Sequence, residues 1–167
     1  NNGDGTFTDI TSKAYTDDQG YGFSCAIGDY NNDGFLDLYV ANYGPNILYH
    51  NNGDGTFTDT TKVAGVGNSR WSVAAAFADY DNDGDIDLFV ANYVEYRLEN
   101  NPVCSRSGVR LYCNPEVFTG SPSTLYRNNG DGTFSDYTQK ANLFNSNDKA
   151  MGICWGDYDN DGDSDLF

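Results

Sequence analysis

Three nine-residue stretches concentrate the acidic side chains of the chain. They read DYNNDGFLD from Asp29, DYDNDGDID from Asp79 and DYDNDGDSD from Asp157, and together hold 13 of the 22 aspartates. Two carboxylates about 4 Å apart repel by roughly 4 kcal/mol at an effective dielectric near 20, so several can share a loop only around a cation. The alternative is a polar hairpin loop with a solvated acidic tip. Three copies with one spacing favour the metal site.

The spacing assigns oxygen ligands to alternate residues of each loop. In D-x-[DN]-x-D-G-x-x-D, the side chains at positions 1, 3 and 5 face a wrapped ion, and the glycine at position 6 permits the sharp turn. Position 7 offers its backbone carbonyl. The loop resembles the opening of an EF-hand, but the glutamate at EF-hand position 12 is absent, so the aspartate at position 9 must close the shell. The predicted ligands are Asp29, Asn31, Asp33, the Phe35 carbonyl and Asp37; Asp79, Asp81, Asp83, the Asp85 carbonyl and Asp87; and Asp157, Asp159, Asp161, the Asp163 carbonyl and Asp165.

Calcium (Ca2+) is the predicted ion, about one per loop and three in this chain. Calcium takes six to eight oxygen ligands, whereas magnesium demands a stricter octahedron and keeps more of its waters. Zinc and copper favour histidine or cysteine, and the only histidine, His50, is remote in sequence from the loops. The first loop carries an asparagine where the other two carry aspartate. We therefore expect the first site to be the weakest.

A second motif, NNGDGTF, begins at residues 1, 51 and 128. Its Asp54 and Asp131 are rival candidates for metal ligands. Asparagine and glycine favour left-handed turn conformations, and Gly-Asp-Gly between two strands is typical of a hairpin. We predict a structural turn in which the aspartate caps backbone N–H groups.

The local patterns within one repeat predict strands throughout. The segments 23–30, 36–42, 46–52 and 56–61 are short and rich in apolar and β-branched or aromatic residues, with turn signals between them. In the second, Leu38 and Val40 lie on one face, and Asp37 and Tyr39 on the other. Four short strands in a repeat of about 50 residues are typical of a β-propeller blade. Helices are expected only in the insertion or around 13–20.

The repeats divide the chain into an all-β partial propeller with four antiparallel strands per blade. The predicted units are the end of a preceding blade (1–19), a blade with the calcium loop 29–37 (20–69), a blade with the calcium loop 79–87 (70–147), and the first half of a further blade with the calcium loop 157–165 (148–167). The third unit carries an insertion over 94–121. Because propellers close with about four to eight blades, we expect a longer chain, several copies or an open array.

The insertion contains two of the four cysteines, Cys104 and Cys113, flanked by prolines. They predict a local disulfide, which indicates an oxidising compartment; zinc binding lacks a neighbouring histidine. Two interpretations of this basic loop remain open: it contacts a partner, or it packs over a neighbouring blade. Its arginines are Arg97, Arg106 and Arg110.

Four further side chains precede acidic loops. We predict that Cys25 and Cys154 are buried free thiols, since no basic partner for a nucleophilic cysteine is evident. Trp71 and Trp155 are expected to pack between blades.

The overall composition limits the partners. The chain has 167 residues and a formal net charge of −16, which repels nucleic acid and anionic membranes. It contains no apolar run of 18 or more residues and so predicts no membrane span. Aromatic residues make up 15% of the chain. This content indicates a folded core rather than disorder.

The two motifs together resemble the FG-GAP/VCBS repeats, which also form the calcium-binding blades of integrin α-subunit propellers. Segments such as LYHNNGDGTFTDTTKVAGV, FADYDNDGDIDLFVANYVEY and the CSRSGVRLYCNPEVF insertion look closest to the bacterial ASPIC/UnbV group, related to cartilage acidic protein. The third copy of the turn departs slightly, reading TFSDYT. The resemblance implies a secreted, cell-surface or periplasmic propeller, commonly seven-bladed, with calcium inside its blades. It implies no single activity.

Three functions follow from these observations. The first is a calcium-binding, secreted or surface-exposed module that binds a protein or glycan at its rim or insertion loop. The second is an accessory subunit of a larger extracellular or membrane-attached assembly. The third is a glycan-cleaving propeller enzyme. We expect no enzyme, because the regularly spaced carboxylates are assigned to metal and no Ser-His-Asp or Cys-His set is evident.

Overall fold

The computed structural model describes residues 1–167, apart from the side chain of Asn100. It contains two four-stranded antiparallel sheets and two two-stranded sheets. The strands are β1 (Tyr21–Gly28), β2 (Asp37–Tyr43), β3 (Ile47–Asn51), β4 (Phe57–Asp59), β5 (Ser72–Ala78), β6 (Asp87–Asn92), β7 (Cys104–Arg106), β8 (Val109–Leu111), β9 (Thr124–Asn128), β10 (Phe134–Asp136), β11 (Trp155–Gly156) and β12 (Asp165–Leu166). Two single-turn helices are α1 (Thr11–Ala14) and α2 (Thr61–Ala64), and short 3-10 turns lie at Leu98–Asn100 and Pro115–Val117.

The two large sheets repeat one topology. The first has the order β1-β2-β3-β4, and the second has the order β5-β6-β9-β10, since the insertion with β7 and β8 interrupts it. Each sheet has an irregularity at the same place, just after the start of its first strand. The predicted all-β fold of antiparallel four-stranded blades is therefore confirmed as a partial propeller.

The sheets pack face to face, so the burial of a strand depends on how many neighbours it has. In β6 all six residues are buried, because Leu88 and Val90 face the first sheet while Phe89 and Ala91 face β11 and β12. In β2 only one face is buried completely, with Tyr39 at the centre of the inter-sheet core. Asp37 shares that buried face, which brings a carboxylate to the end of the core.

The prediction for helices was wrong at one position. The expected strand over 56–61 ends at Asp59, and α2 (Thr61–Ala64) follows it. The Asp59 Oδ1 atom accepts hydrogen bonds from the backbone N–H of Thr61 (3.0 Å) and from its hydroxyl (2.6 Å). Because the Thr61 N–H donates to this side chain, it is not available for pairing between strands, and the chain turns here. Gly65 has a φ of 76° and ends the turn in the left-handed region.

The prediction that the free cysteines are buried was also wrong, because both Cys25 and Cys154 are exposed. Cys25 pairs in register with Val40 and lies on the face of the first sheet that points away from the second. Alternation along β1 buries its neighbour Ala26 instead. Cys154 lies at the repeat position of Ala26 but is outside the two larger sheets.

The predicted inter-blade role of the tryptophans is confirmed. The Trp71 ring lies 5.6 Å from Phe23 and 5.3 Å from Tyr43 of the first sheet, measured between ring centroids. Trp155 contacts Phe89 of the second sheet at 6.3 Å. These edge-on aromatic contacts add to the packing between sheets.

The insertion contains a hairpin, β7 and β8, that belongs to neither large sheet, whereas Tyr96 at the base of the insertion packs against Tyr43 of the first sheet. Strands β7 and β8 pair only with each other, and the predicted disulfide joins Cys104, the first residue of β7, to Cys113, two residues after β8. Val109, Leu111 and Tyr112 of this hairpin are exposed. None of the helices in the described part of the chain is long and apolar enough to cross a membrane.

Candidate metal sites

The three acidic loops share one backbone frame. At position 1, Asp29 accepts hydrogen bonds from the backbone N–H groups of Asp33 (3.0 Å) and Gly34 (2.8 Å). Asp79 and Asp157 accept the equivalent pairs in the other two loops. The carboxylate at position 1 thus holds the loop closed around a common centre.

Two residues of each loop adopt the left-handed backbone region. They are the glycine at position 6, as predicted, and the asparagine at position 4. The asparagines Asn32, Asn82 and Asn160 have φ values of 55°, 56° and 61°. Asparagine tolerates this conformation better than other side chains that carry a Cβ. The choice of asparagine at position 4 is therefore part of the loop geometry.

The aspartate at position 9 connects the loop to the sheet. Asp87 is fully buried, and its oxygens accept hydrogen bonds from the backbone N–H groups of Asn128 on β9 (2.8 Å) and Tyr80 at position 2 (3.2 Å). Asp37 makes the same contacts in the first sheet, and Asp165 accepts from Tyr158 in the third loop. In the two large sheets, position 9 therefore ties together the loop and two strands.

The structure brings together two groups of predicted ligands. Ligand atoms of Asp79, Asp81 and Asp87 lie within 4.8 Å of one another, and so do those of Asp157, Asp159 and Asp161. Neither group includes all four predicted side chains, since Asp83 and Asp165 lie outside. In the first loop, the aspartates form no such group among the described residues; the Asn31 amide instead donates to Asp33 at 2.9 Å.

The side chains at position 7, whose carbonyls are predicted ligands, point elsewhere. Asp85 Oδ1 accepts a hydrogen bond of 2.6 Å from Asn32 in the first loop, and Asp163 Oδ1 accepts one of 2.7 Å from Asn82. Phe35 at the same position lies over Gly53 of the NNGDGTF turn, where an added Cβ would approach its ring to 2.6 Å. The side chain at position 7 therefore makes contacts outside its own loop.

A basic or titratable residue on the third strand of each large sheet reaches the acidic loop of the same sheet. His50 Nδ1 lies 3.2 Å from Asp37 and 3.8 Å from Asp33. Arg127 occupies the same repeat position and lies 2.8 Å from Asp81 through Nε and 3.2 Å from Asp83 through Nη2. Neither contact was predicted, because both residues are far from the contacted aspartates in the sequence. The available signal was that each residue directly precedes a copy of NNGDGTF.

The electrostatics of the loops differ with burial. Burial raises the pKa of Asp87 to about 6, although N–H groups of Asn128 and Tyr80 act in the opposite direction. Burial also raises the pKa of Asp37. The exposed Asp83 has a lowered pKa, mainly because the backbone N–H of Asp85 donates to it, with a further contribution from Arg127. The buried position-9 carboxylates are thus the ones that most need a compensating positive charge.

The donor set of the second and third loops fits a hard cation. The grouped atoms are all carboxylate oxygens, which calcium prefers. In the second loop Arg127 pairs with Asp81 and Asp83 but with neither Asp79 nor the buried Asp87. Three carboxylates converging on one point thus keep a negative charge that one divalent ion would offset.

The NNGDGTF segments form turns in which the aspartate caps the backbone, as predicted. Asp54 Oδ1 accepts hydrogen bonds from the N–H and the hydroxyl of Thr56, at 2.9 and 2.6 Å. Asp131 accepts the same pair from Thr133. These contacts lower the pKa of both carboxyls.

Comparison with known proteins identifies the repeat. A family model described as FG-GAP-like repeat matches residues 1–40, 29–90 and 113–167, and these segments cover all three acidic loops. A search of curated proteins finds no significant match. The repeated loop-and-strand unit and these matches agree: the chain belongs to the FG-GAP-like repeat family.

Proposed function

We propose that this protein is a calcium-binding, secreted or surface-exposed β-propeller module that acts in protein–protein interaction or adhesion. The observation that carries the proposal is the convergence of Asp79, Asp81 and the buried Asp87 on one point, in a loop frame that recurs three times. A bound calcium ion would supply the positive charge that these carboxylates lack. The ligands in this proposal are those predicted above for each loop, about one ion per loop.

The chain's own residues explain why such an ion would stabilise the fold. Asp87 is hydrogen-bonded to both Tyr80 and Asn128, so whatever fixes this carboxylate also fixes the loop against β9. The loop also joins the edge strand β5 to β6, and all six residues of β6 are buried. Calcium would therefore have a structural role, stabilising the contact between the loop and the sheet. We propose no catalytic role for the chain.

Thermal unfolding tests the calcium assignment. We expect a chelator to lower the Tm of the chain by many degrees, and calcium to restore it where magnesium at equal concentration does not. Calcium should raise the Tm by the same amount in the control Asp17→Asn, a charge change at an exposed residue outside the three loops. An unchanged Tm in chelator would rule out structural calcium.

We further propose that the insertion hairpin contacts the partner, a protein or a glycan. Arg106 and Arg110 are exposed on β7 and β8, and Tyr112 beside them has full exposure (104%). A basic, partly apolar hairpin held by the Cys104–Cys113 bond is unusual on a chain of net charge −16. Exposed loops on a rigid scaffold commonly carry binding residues.

Binding to arrays of glycans and acidic peptides tests the hairpin. We expect the double variant Arg106→Ser/Arg110→Ser to lose binding. Lys13→Ser/Lys62→Ser makes the same charge change at exposed helical positions and should retain it. Equal binding by both variants would show that the hairpin is not the contact.

The proposed compartment and subgroup follow from the same features. FG-GAP repeats are typical of extracellular proteins, and a disulfide such as Cys104–Cys113 forms in oxidising compartments. Within the family we propose membership of the ASPIC/UnbV group, on the residues of the insertion and the turn motif. We also propose that the protein is bacterial and that it is secreted, displayed on the cell surface or periplasmic.

A further inference from the structure

Two acidic loops of neighbouring sheets are joined by a hydrogen bond that repeats along the chain. Asn32 Nδ2 at position 4 of the first loop donates to Asp85 Oδ1 at position 7 of the second, at 2.6 Å. Asn82 Nδ2 donates to Asp163 Oδ1 of the third loop at 2.7 Å. The same pair of loop positions is used at both junctions, so the contact belongs to the repeat.

A second connection runs through the buried interior of the first junction. Tyr30 N–H donates to Asp37, and the Tyr30 carbonyl accepts from Asn128 Nδ2 at 2.7 Å. The Asn128 backbone N–H in turn donates to Asp87 at 2.8 Å. A continuous chain of hydrogen bonds therefore joins the position-9 carboxylate of one loop to that of the next. Both Tyr30 and Asn128 are buried, where such bonds are strong.

We propose that Asn32 and Asn128 are positioning residues that couple the first and second calcium sites, so that calcium at one site raises the affinity of the other. This inference rests on the calcium-binding function proposed above. Without an ion, repulsion between the carboxylates opens a loop; with an ion, the loop takes the closed frame. A closed first loop holds Asn32 and the Tyr30 carbonyl in place, and thereby reduces the cost of ordering the second loop.

Charge alone acts in the opposite direction. An ion at the first site reduces the negative potential at the second, which weakens binding there. At about 0.15 M salt this effect decays over roughly 8 Å. Because Asn32→Gly changes no formal charge, a change in coupling in that variant reports the hydrogen bond and not the electrostatic potential. Glycine also keeps the left-handed backbone that Asn32 adopts.

The experiment measures calcium occupancy site by site. In NMR spectra of the whole 18.3 kDa chain, the amide signals of Gly34, Gly84 and Gly162 each report one loop during a calcium titration. The first site is disabled by Asp29→Asn/Asp33→Asn. We expect this change to weaken calcium binding at Gly84 by at least about fivefold, the lower end of typical coupling between sites.

The asparagine variants then test the route. In the Asn32→Gly background, disabling the first site should still weaken calcium binding at the second site, but the fold-loss in affinity should be at most about half of that in the wild type. Asn160→Gly makes the same backbone change in the third loop, also in the left-handed region, and should leave this coupling unchanged. Asn128→Ala, if it folds, should reduce the coupling further; the exposed Asn32 variant gives the test if it does not.

The outcomes separate the two proposals. If no glycine signal responds to calcium, the proposed calcium function fails. If calcium binds at Gly84 with the same affinity whether or not the first site is intact, the coupling is refuted and the calcium function stands. Coupling that is unchanged in Asn32→Gly also refutes the role assigned to these asparagines.

Discussion

At the scale of single residues, the most informative position is the one at the end of the third strand, beside each NNGDGTF turn. It carries His50 in one repeat and Arg127 in the next, and both side chains reach loop carboxylates. The side chain at this position sets how much of the loop's negative charge is already paired within the protein. The number of aspartates alone therefore does not rank the sites by calcium affinity. The second loop has more carboxylates than the first, but the Arg127 guanidinium already pairs with two of them.

Replacing Arg127 tests this tuning. We expect Arg127→Ala to raise the calcium affinity of the second site by about 2- to 10-fold, since it removes two partly exposed ion pairs to Asp81 and Asp83. Calorimetric titration with calcium measures the change. Arg110→Ala alters the net charge equally from the distant hairpin and should shift the affinity much less. Unchanged or weaker binding in Arg127→Ala would mean that the arginine does not compete with the ion.

The two kinds of aspartate, in loop and in turn, differ in their dependence on calcium. Asp83 is a predicted ligand, whereas Asp54 caps the backbone and hydroxyl of Thr56. We expect Asp83→Ala to reduce the rise in Tm that calcium causes, and Asp54→Ala to lower the Tm by a similar amount with and without calcium. Equal loss of the calcium effect in both variants would contradict the turn role of NNGDGTF.

At the scale of elements, the sheets are held together at the end opposite the acidic loops by a buried polar network. Ser72, at the start of β5, donates from its hydroxyl to Asn92 Oδ1 (2.7 Å) and accepts from Asn46 Nδ2 of the first sheet (2.8 Å). All three side chains are buried. Hydrogen bonds of the acidic loops at one end and this network at the other therefore fix the register of the two sheets.

Removing the Ser72 hydroxyl tests the network. We expect Ser72→Ala to lower the free energy of unfolding by about 1–3 kcal/mol, because the buried Asn92 Oδ1 and one N–H of the Asn46 amide lose the partner that the Ser72 hydroxyl supplies. Urea denaturation measures the loss. Ser135→Ala removes an exposed hydroxyl that donates to Asn129. That control should cost at most about 0.5 kcal/mol, as surface substitutions usually do. Comparable losses in the two variants would exclude a special role for the buried network.

At the scale of the whole molecule, the negative charge is unevenly distributed between buried and exposed carboxyls. Asp37 and Asp87 lie at the ends of the packed sheets with no exposed surface, whereas most other loop acids face solvent. The stability of the calcium-free chain therefore depends on protons at the buried carboxyls. The solvated acids contribute mainly to the overall repulsion of anions.

The pH dependence of the calcium-free chain follows from this burial. The pKa of Asp87 is about 6 in the folded chain against an ordinary 3.8. The folded state thus binds more protons than the unfolded state between these values, and this stabilisation is lost as pH rises from about 4 to about 6. We expect a loss of about 2 kcal/mol in urea denaturation without calcium.

Asp87→Asn provides the control for that pH dependence. The variant should make the stability curve less steep between about pH 4 and 6, because its side chain does not titrate; the slope that remains comes from other carboxyls such as Asp37, whose pKa burial also raises. The carboxyls with lowered pKa, such as Asp54 and Asp83, change stability in the opposite direction but below their ordinary pKa. A wild-type chain whose stability rises with pH across this window would contradict the buried position of Asp87.

The sequence by itself determined the repeat, the four-stranded sheets, the capped turns and the disulfide. These features depend on contacts between residues near one another in the chain. Glycine and asparagine at fixed loop positions set the backbone, and alternation sets the strand faces. Cys104 and Cys113 are nine residues apart. A local spacing therefore carried enough information to identify them.

Only the tertiary structure decided which side chains meet across the repeats. The contacts of His50 and Arg127 with the acidic loops, the bond from Asn32 to Asp85 and the exposure of Cys25 all depend on how strands pair or sheets pack. Strand alternation shows that two faces exist, but which face is covered depends on what packs against the sheet. Such contacts join residues many positions apart, and no periodicity in the sequence encodes them.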